Sequence, residues 1–149
     1  MPLWKVYHSE DALTDKADKA AIAKGAVEIY RHFGLPDFYV HVIFETVSQE
    51  DNYTSGGRHS TFVIMELVHI ARNYKGDTAR AKLFKDKVDQ LMMPFTTDKG
   101  IHLEYAVVEG PAAMWRIDGV DPPEAFGPEE QEQAEINRKI LADKYQTTE

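Results

Sequence analysis

The sequence predicts an α+β fold. Tandem β-α-β units form a four-stranded sheet with two helices on one face, followed by a C-terminal helical tail. Three observations carry this. Strand-like segments open at Leu3, Phe38, Phe62 and Ile101, and the two intervals that hold a helix are nearly equal: 35 residues from 3 to 38, and 39 from 62 to 101. Each interval contains one amphipathic helix. A parallel crossover of this kind has one expected hand. The strands also carry apolar side chains on both faces, while only two helices are available to cover them.

The elements follow in order. LWKVYH (3–8) is rich in aromatic and β-branched residues and reads as a strand. Thr14 is the expected N-cap of the first helix, with Asp15 and Asp18 in its first turn. Ile22, Ala26, Ile29 and Phe33 share one face of that helix, Gly34 stops it, and Pro36 keeps it stopped. FYVHVIFETV (38–47) reads as a buried strand, and SQEDNYTSGGRHS (48–60) as a long loop or hairpin tip with a turn at Gly56-Gly57. The pattern then repeats. FVIMELVHI (62–70) is a strand. Asp77 or Thr78 caps a helix whose Ala81, Phe84, Val88 and Leu91 share a face, Pro94 ends it, and IHLEYAVVE (101–109) is the last strand. The tail holds a Pro- and Gly-rich turn, DGVDPPEAFGPEEQEQ, and a charged, weakly amphipathic helix over 129–145. The expected organisation is one domain over 1–149. Its first unit covers 1–47, its second 61–110, and its C-terminal arm 111–149.

Composition bounds the function. At 149 residues the chain can bury a core of its own. Its net charge of −8 argues against a nucleic-acid surface, and the absence of cysteine removes disulfides, thiolate nucleophiles and cysteine-ligated zinc. His8, His32, His41, His59, His69 and His102 are scattered without the helical spacing of a zinc site, so no metal and no other cofactor is expected. No signal peptide or membrane-spanning run is visible, which predicts a soluble, cytoplasmic protein without membrane partners.

The start of the chain raises its own question. A proline directly after the initiator methionine is either an ordinary strand start or, once Met1 is removed, a free secondary amine on a rigid element. Other stretches bear on the choice. The opening MPLWKVYHSEDALT, HIAR at 69–72 and WRIDGVDPP at 115–123, in a cysteine-free chain of tandem β-α-β units, resemble the tautomerase superfamily. The resembled branch is the one named for cis-3-chloroacrylic acid dehalogenase (cis-CaaD-like), with fungal members labelled oxalocrotonate tautomerases.

The resemblance implies roles position by position. Pro2 would be the catalytic acid or base, Arg72 the carboxylate anchor, and Tyr105 an assisting group. Tyr30 stands where the dehalogenase has a histidine. Arg116 or Ile117 stands where it has a water-activating glutamate, and Asn73 or Lys75 near its second arginine. Tyr30, His69, Trp115 and Arg116 are the candidate substrate-binding residues, with Trp115 as a pocket wall or subunit contact. The departures weaken dehalogenation, hydration and decarboxylation of a three-carbon acid, for which Asp118 is the only carboxylate in WRID. They leave proton transfer by proline untouched. The leading expectation is therefore a cofactor-free isomerase of tautomerase type acting on a small carboxylated enol or unsaturated acid. A non-catalytic binding protein that keeps the fold is the alternative. A bare sheet face would exceed the roughly 600 Å² that monomers tolerate, and the resemblance points to a homotrimer that covers it.

Overall fold

In a computed structural model the described residues are 1–149 except His59, Ser60, Ala71, 123–126, Glu129, Gln133, Ala134, Asn137, Arg138 and 140–149. Strand β1 (Pro2–Ser9) leads to helix α1 (Lys16–His32) and strand β2 (His41–Val47). A hairpin of β3 (Tyr53–Thr54) and β4 (Gly57–Arg58) follows. Then come β5 (Phe62–His69), α2 (Thr78–Met92) and β6 (His102–Glu109). The main sheet has the order β2-β1-β5-β6. β1 runs parallel to β2 and antiparallel to β5, and β5 runs parallel to β6. The two β-α-β units thus meet through their first strands. Of the tail helix expected over 129–145, residues 130–132, 135, 136 and 139 are helical, and the remainder lies outside the described residues.

The caps show why the helices begin where they do. Asp15, not Thr14, caps α1, its carboxylate accepting from Ala17 N–H at 2.8 Å. Asp77 caps α2 through Arg80 N–H. The left-handed φ of +76° at Gly34 turns the chain out of α1. A 3-10 turn over Asp37–Tyr39 follows Pro36, so β2 starts at His41 rather than at residue 38.

Period-two alternation puts Trp4, Val6 and His8 of β1 and Val63, Met65, Leu67 and His69 of β5 against the helices, and all of them are buried. Ile22, Ala26, Ile29 and Tyr30 of α1 and Phe84, Val88 and Met92 of α2 complete the layer. Gly25 lets the helices approach closely: a methyl group there would sit 2.3 Å from Leu91 Cδ1. The opposite sheet face is uncovered and less uniformly apolar than expected. Leu3, Ile43, Ile64, Val68 and Val108 share it with Lys5, Glu45, Glu66 and Glu104, and Lys5 pairs with Glu66 at 3.4 Å.

Candidate active site

The antiparallel register of β1 and β5 sets Pro2 directly across from His69. The C-terminal end of α1, the turn after β5 and the start of α2 converge at the same edge. They enclose a cavity of about 190 Å³, walled by Tyr30, His32 and Phe33 from α1 and its cap, His69 and Arg72 after β5, then Asn73, Tyr74 and Arg80. Two bonds pin the wall contributed by residues 73–74 to the end of β6. Asn73 Nδ2 donates to the Gly110 carbonyl at 3.1 Å, and Tyr74 N–H donates to Glu109 Oε1 at 2.5 Å.

The chain's first residues run beside His69 and Ile70. Ile70 N–H donates to the Met1 carbonyl at 3.2 Å, extending the ladder past Pro2. Burial, and then the positive charge of Arg72, push the α-amine of Met1 down from 8.0 to about 4. His69 is also pushed down, to about 4, first by burial and then by that amine. Burial holds the Tyr30 phenol well above its ordinary value, so it stays protonated. His69 and Tyr30 are therefore neutral, while Arg80 and Arg72 bring positive charge to the cavity, the latter through a largely buried guanidinium.

That guanidinium is already engaged. Arg72 Nη1 and Nη2 donate to Glu130 Oε1 and Oε2 at 2.6 and 2.7 Å, and the two side chains are only 10% and 8% exposed. Nε reaches the Phe33 carbonyl at 3.3 Å and Nη2 the Gly34 carbonyl at 3.2 Å. The C-terminal end of α1 thus attracts the cation, as helix carbonyl ends do. Gln131 Nε2 binds the same Gly34 carbonyl at 3.1 Å, so two successive residues of the C-terminal arm dock on this ledge.

The cavity brings together Tyr30, His69 and Arg72, with Pro2 beside them, and does not bring in the other candidates. The Tyr105 hydroxyl lies under α2, donating its proton to Asp89 Oδ1 at 2.6 Å, with the Lys85 carbonyl 3.2 Å away. Its strand partner is Met65, four residues from His69, or roughly 13 Å along β5. Burial, then Asp89, raise the Tyr105 pKa well above the ordinary phenol value. Trp115 is a core residue packed edge-on against Tyr39 at 4.8 Å. Arg116 points outward, 68% exposed, and pairs with Asp121 at 2.6 Å. Asp118 occupies an exposed turn at φ +49°. Tyr74, Arg80 and Glu130 were missed by sequence reasoning. Tyr74 lies two residues past HIAR and was within reach of a closer reading of that stretch, whereas nothing in the sequence marks Glu130 as the partner of Arg72. Among the described residues no three His, Asp or Glu gather closely enough to hold a metal ion, and no helix is long and apolar enough to cross a membrane.

Fold and site together define a tautomerase-like protein: two β-α-β units, a proline at the start of the first strand, and an arginine-bearing cavity beside it. The family described as "Putative oxalocrotonate tautomerase enzyme" matches residues 1–138, and the chain belongs to that family and through it to the tautomerase superfamily. A probable enzyme from the thermophilic fungus Aspergillus fumigatus is 34% identical over 92% of this chain and 94% of its own, with a TM-score of 0.80. Native RhCC from Rhodococcus jostii RHA1 is 30% identical over 91% and 96%, with a TM-score of 0.81. N1, a member of the cis-3-chloroacrylic acid dehalogenase family, shares the fold at 21% identity over 95% and 99%, with a TM-score of 0.68. No curated protein sequence matches the chain.

Proposed function

We propose that the protein is a cofactor-free isomerase of tautomerase type in which Pro2, freed of Met1, is the general base and acid. The observation that carries this reading is the position of Pro2: first residue of β1, across from His69, beside a cavity that contains Arg72. A secondary amine in that place would be held unprotonated by the same burial and the same cation that depress the amine of Met1. The substrate is a small carboxylated enol. Arg72 takes its carboxylate bidentately in place of Glu130. The Pro2 nitrogen accepts the enol hydroxyl proton, the O–C=C electrons shift to give the keto group, and the ammonium returns the proton to carbon.

An amide nitrogen cannot do this. Intact mass of protein from its natural host should show Met1 absent, and its retention would refute the mechanism. Turnover of phenylenolpyruvate or 2-hydroxymuconate that disappears in Pro2→Ala would support it. We further propose that copies of this chain cover the open sheet face as a homotrimer. The apolar residues on that face support this, as does the occurrence of trimers in this fold, among them a fused 4-OT symmetric trimer. Tyr105 joins the reaction only if a neighbouring copy supplies it. One observation favours a second reading, a binding protein that has lost the chemistry: Glu130 occupies the anchoring arginine. Absence of turnover with both enols, with Met1 removed and carboxylate binding intact, would select it.

A further inference from the structure

A backbone nitrogen at the start of a strand lies in the plane of the sheet, open to groups on both faces. The chain-start amine of β1 has such a place, with a neighbouring strand on either side. On one side the antiparallel register sets Pro2 against His69, on the helix-covered face. On the other side β1 runs parallel to β2, and Leu3 pairs with His41, the first residue of β2. Val42 pairs with the buried Trp4, so alternation turns His41 to the open face. Strands ~4.8 Å apart and a rise of ~3.3 Å per residue put the backbone of His41 roughly 6 Å from that of Pro2.

The two histidines differ in what they can do. His69 is buried, and its Nε2 is bonded at 2.5 Å to the Tyr30 hydroxyl, which accepts from Trp4 Nε1 at 2.8 Å. Burial keeps it neutral. His41 is exposed on the edge strand of the sheet, where water can solvate a charged ring. Its neighbours on the open face are Leu3 and Ile43, and beyond them come Lys5, which pairs with Glu66, and Glu45. From α1, Lys19 packs over Phe44, three residues along β2, while Arg31 is held by Asp37 and Glu28 ahead of the strand. The titratable and charged groups nearest the amine are therefore His69 and Arg72 from the β5 side and His41 from the β2 side. Desolvation, then the positive charge of the amine, hold His41 below its ordinary value. Repulsion between two cations is mutual, so a charged His41 opposes protonation of the amine in return.

We infer that His41 is a positioning residue for the proton on the chain-start amine: in mildly acidic solution it becomes a second cation beside the amine, acting from the β2 side as Arg72 does from the β5 side, and keeps the amine in its base form. As pH falls the exposed imidazole charges first, because the amine is buried and already lies near a guanidinium. Arg72 supplies a fixed charge, and His41 supplies one that appears only when protons become plentiful. The coupling holds for whichever residue carries the amine, and its use in proton transfer rests on the reading proposed above.

The test is a pH titration of isotope-labelled protein by NMR, followed at the amine nitrogen and at the His41 ring. In the wild type His41 should protonate first and the amine second, at lower pH. Two unit charges ~6 Å apart in water shift a pKa by about half a unit. His41→Gln should therefore raise the pKa of the amine by about half a unit, and well below that pKa the unprotonated fraction should fall about threefold. His41→Lys keeps a charge throughout the titration and should leave the amine at or below its wild-type pKa. A purely structural role would move both variants alike. Both substitutions fall on an exposed edge-strand position, which accepts polar and charged side chains, so both variants should fold. Equal amine pKa values in the two variants, or an amine that protonates before His41 in the wild type, would overturn the inference. None of these measurements needs turnover. Met1 found in place by intact mass would defeat the proline mechanism and leave the titration to be read on the Met1 amine.

Discussion

Replacing Glu130 by Gln separates two uses of Arg72. Wild-type Glu130 holds the guanidinium through two short charge-assisted bonds at 2.6 and 2.7 Å, in a setting where both side chains are about nine-tenths buried. An incoming carboxylate must displace it. Hydrogen bonds to charged groups contribute about 1.5–3 kcal/mol. Glutamine keeps the shape and one acceptor but removes the charge, so the lower end applies, and about 1.4 kcal/mol is tenfold in affinity. Pyruvate should therefore bind Glu130→Gln about tenfold more tightly than wild type, measured by calorimetric titration. The variant should also be less stable, because a buried guanidinium loses its counter-charge. Breaking such a pair outright costs about 3–5 kcal/mol, and a loss of about 2 kcal/mol is expected here, or a drop in Tm of roughly 4–8 °C for a chain of this size. Pyruvate should restore much of that drop by binding the folded state. Adding Arg72→Met should abolish both the gain in affinity and the rescue. Equal pyruvate affinity in wild type and Glu130→Gln would refute the competition, and a rescue that persists without Arg72 would place the anion elsewhere.

Other measurements reach different parts of the molecule. The folded pKa of His69 is depressed from 6.5 to about 4, so its contribution to stability is full above pH 6.5 and is lost as pH falls toward 4. Linkage gives a loss of about 2 kcal/mol between pH 7 and pH 5, which urea unfolding should show in the wild type and not in His69→Asn. Gly25→Ala should cost about 1 kcal/mol despite the better helix propensity of alanine, because Leu91 must turn away from a methyl group 2.3 Å from its Cδ1. Val108, 47% exposed on the open sheet face, should tolerate glutamate in a monomer. If copies assemble through that face, Val108→Glu should reduce the mass seen by light scattering from about three chains to one of 17.0 kDa. No change in mass would remove this face from the interface.

The fold was legible because its signals are local. Period-two alternation in LWKVYH and the spacing of Ile22, Ala26 and Ile29 place strand and helix without reference to anything distant. Boundaries slipped where two local signals compete. Thr14 and Asp15 are both good caps, and only the geometry of the turn before α1 selects the carboxylate. Pro36 was read as a helix stop, but it also starts a 3-10 turn that delays β2 to His41. Within the site, Pro2, His69 and Arg72 were visible through short stretches of chain, because the strand register that gathers them follows from the fold. Partners separated by long intervals were not visible. Trp4, Tyr30 and His69 stand 26 and 39 residues apart, and Arg72 and Glu130 stand 58 apart. Residue types alone do not show that three such side chains share two protons.

On the reading proposed above, the arm and the substrate would compete for one charge, and the balance of the whole molecule gives a reason for it. A chain of net charge −8 repels a small anion at long range. Capture needs a local cation, yet a bare guanidinium in this low-dielectric wall would be unstable without a partner. Glu130 resolves that conflict by supplying the carboxylate from within. It keeps Arg72 satisfied when no ligand is present, held in the geometry a planar carboxylate requires by the Phe33 and Gly34 carbonyls behind it. The exchange of one carboxylate for another conserves charge and hydrogen bonds at Arg72, so it need not disturb the chain-start amine, whose depression depends on that same cation. What changes is the arm. Once Glu130 leaves, only the bond from Gln131 to Gly34 remains of the two contacts described at this ledge. On the proposed reading, binding at Arg72 and release of the arm's Glu130 would be one event, and the affinity for a carboxylate would be set by the difference between two nearly equal interactions.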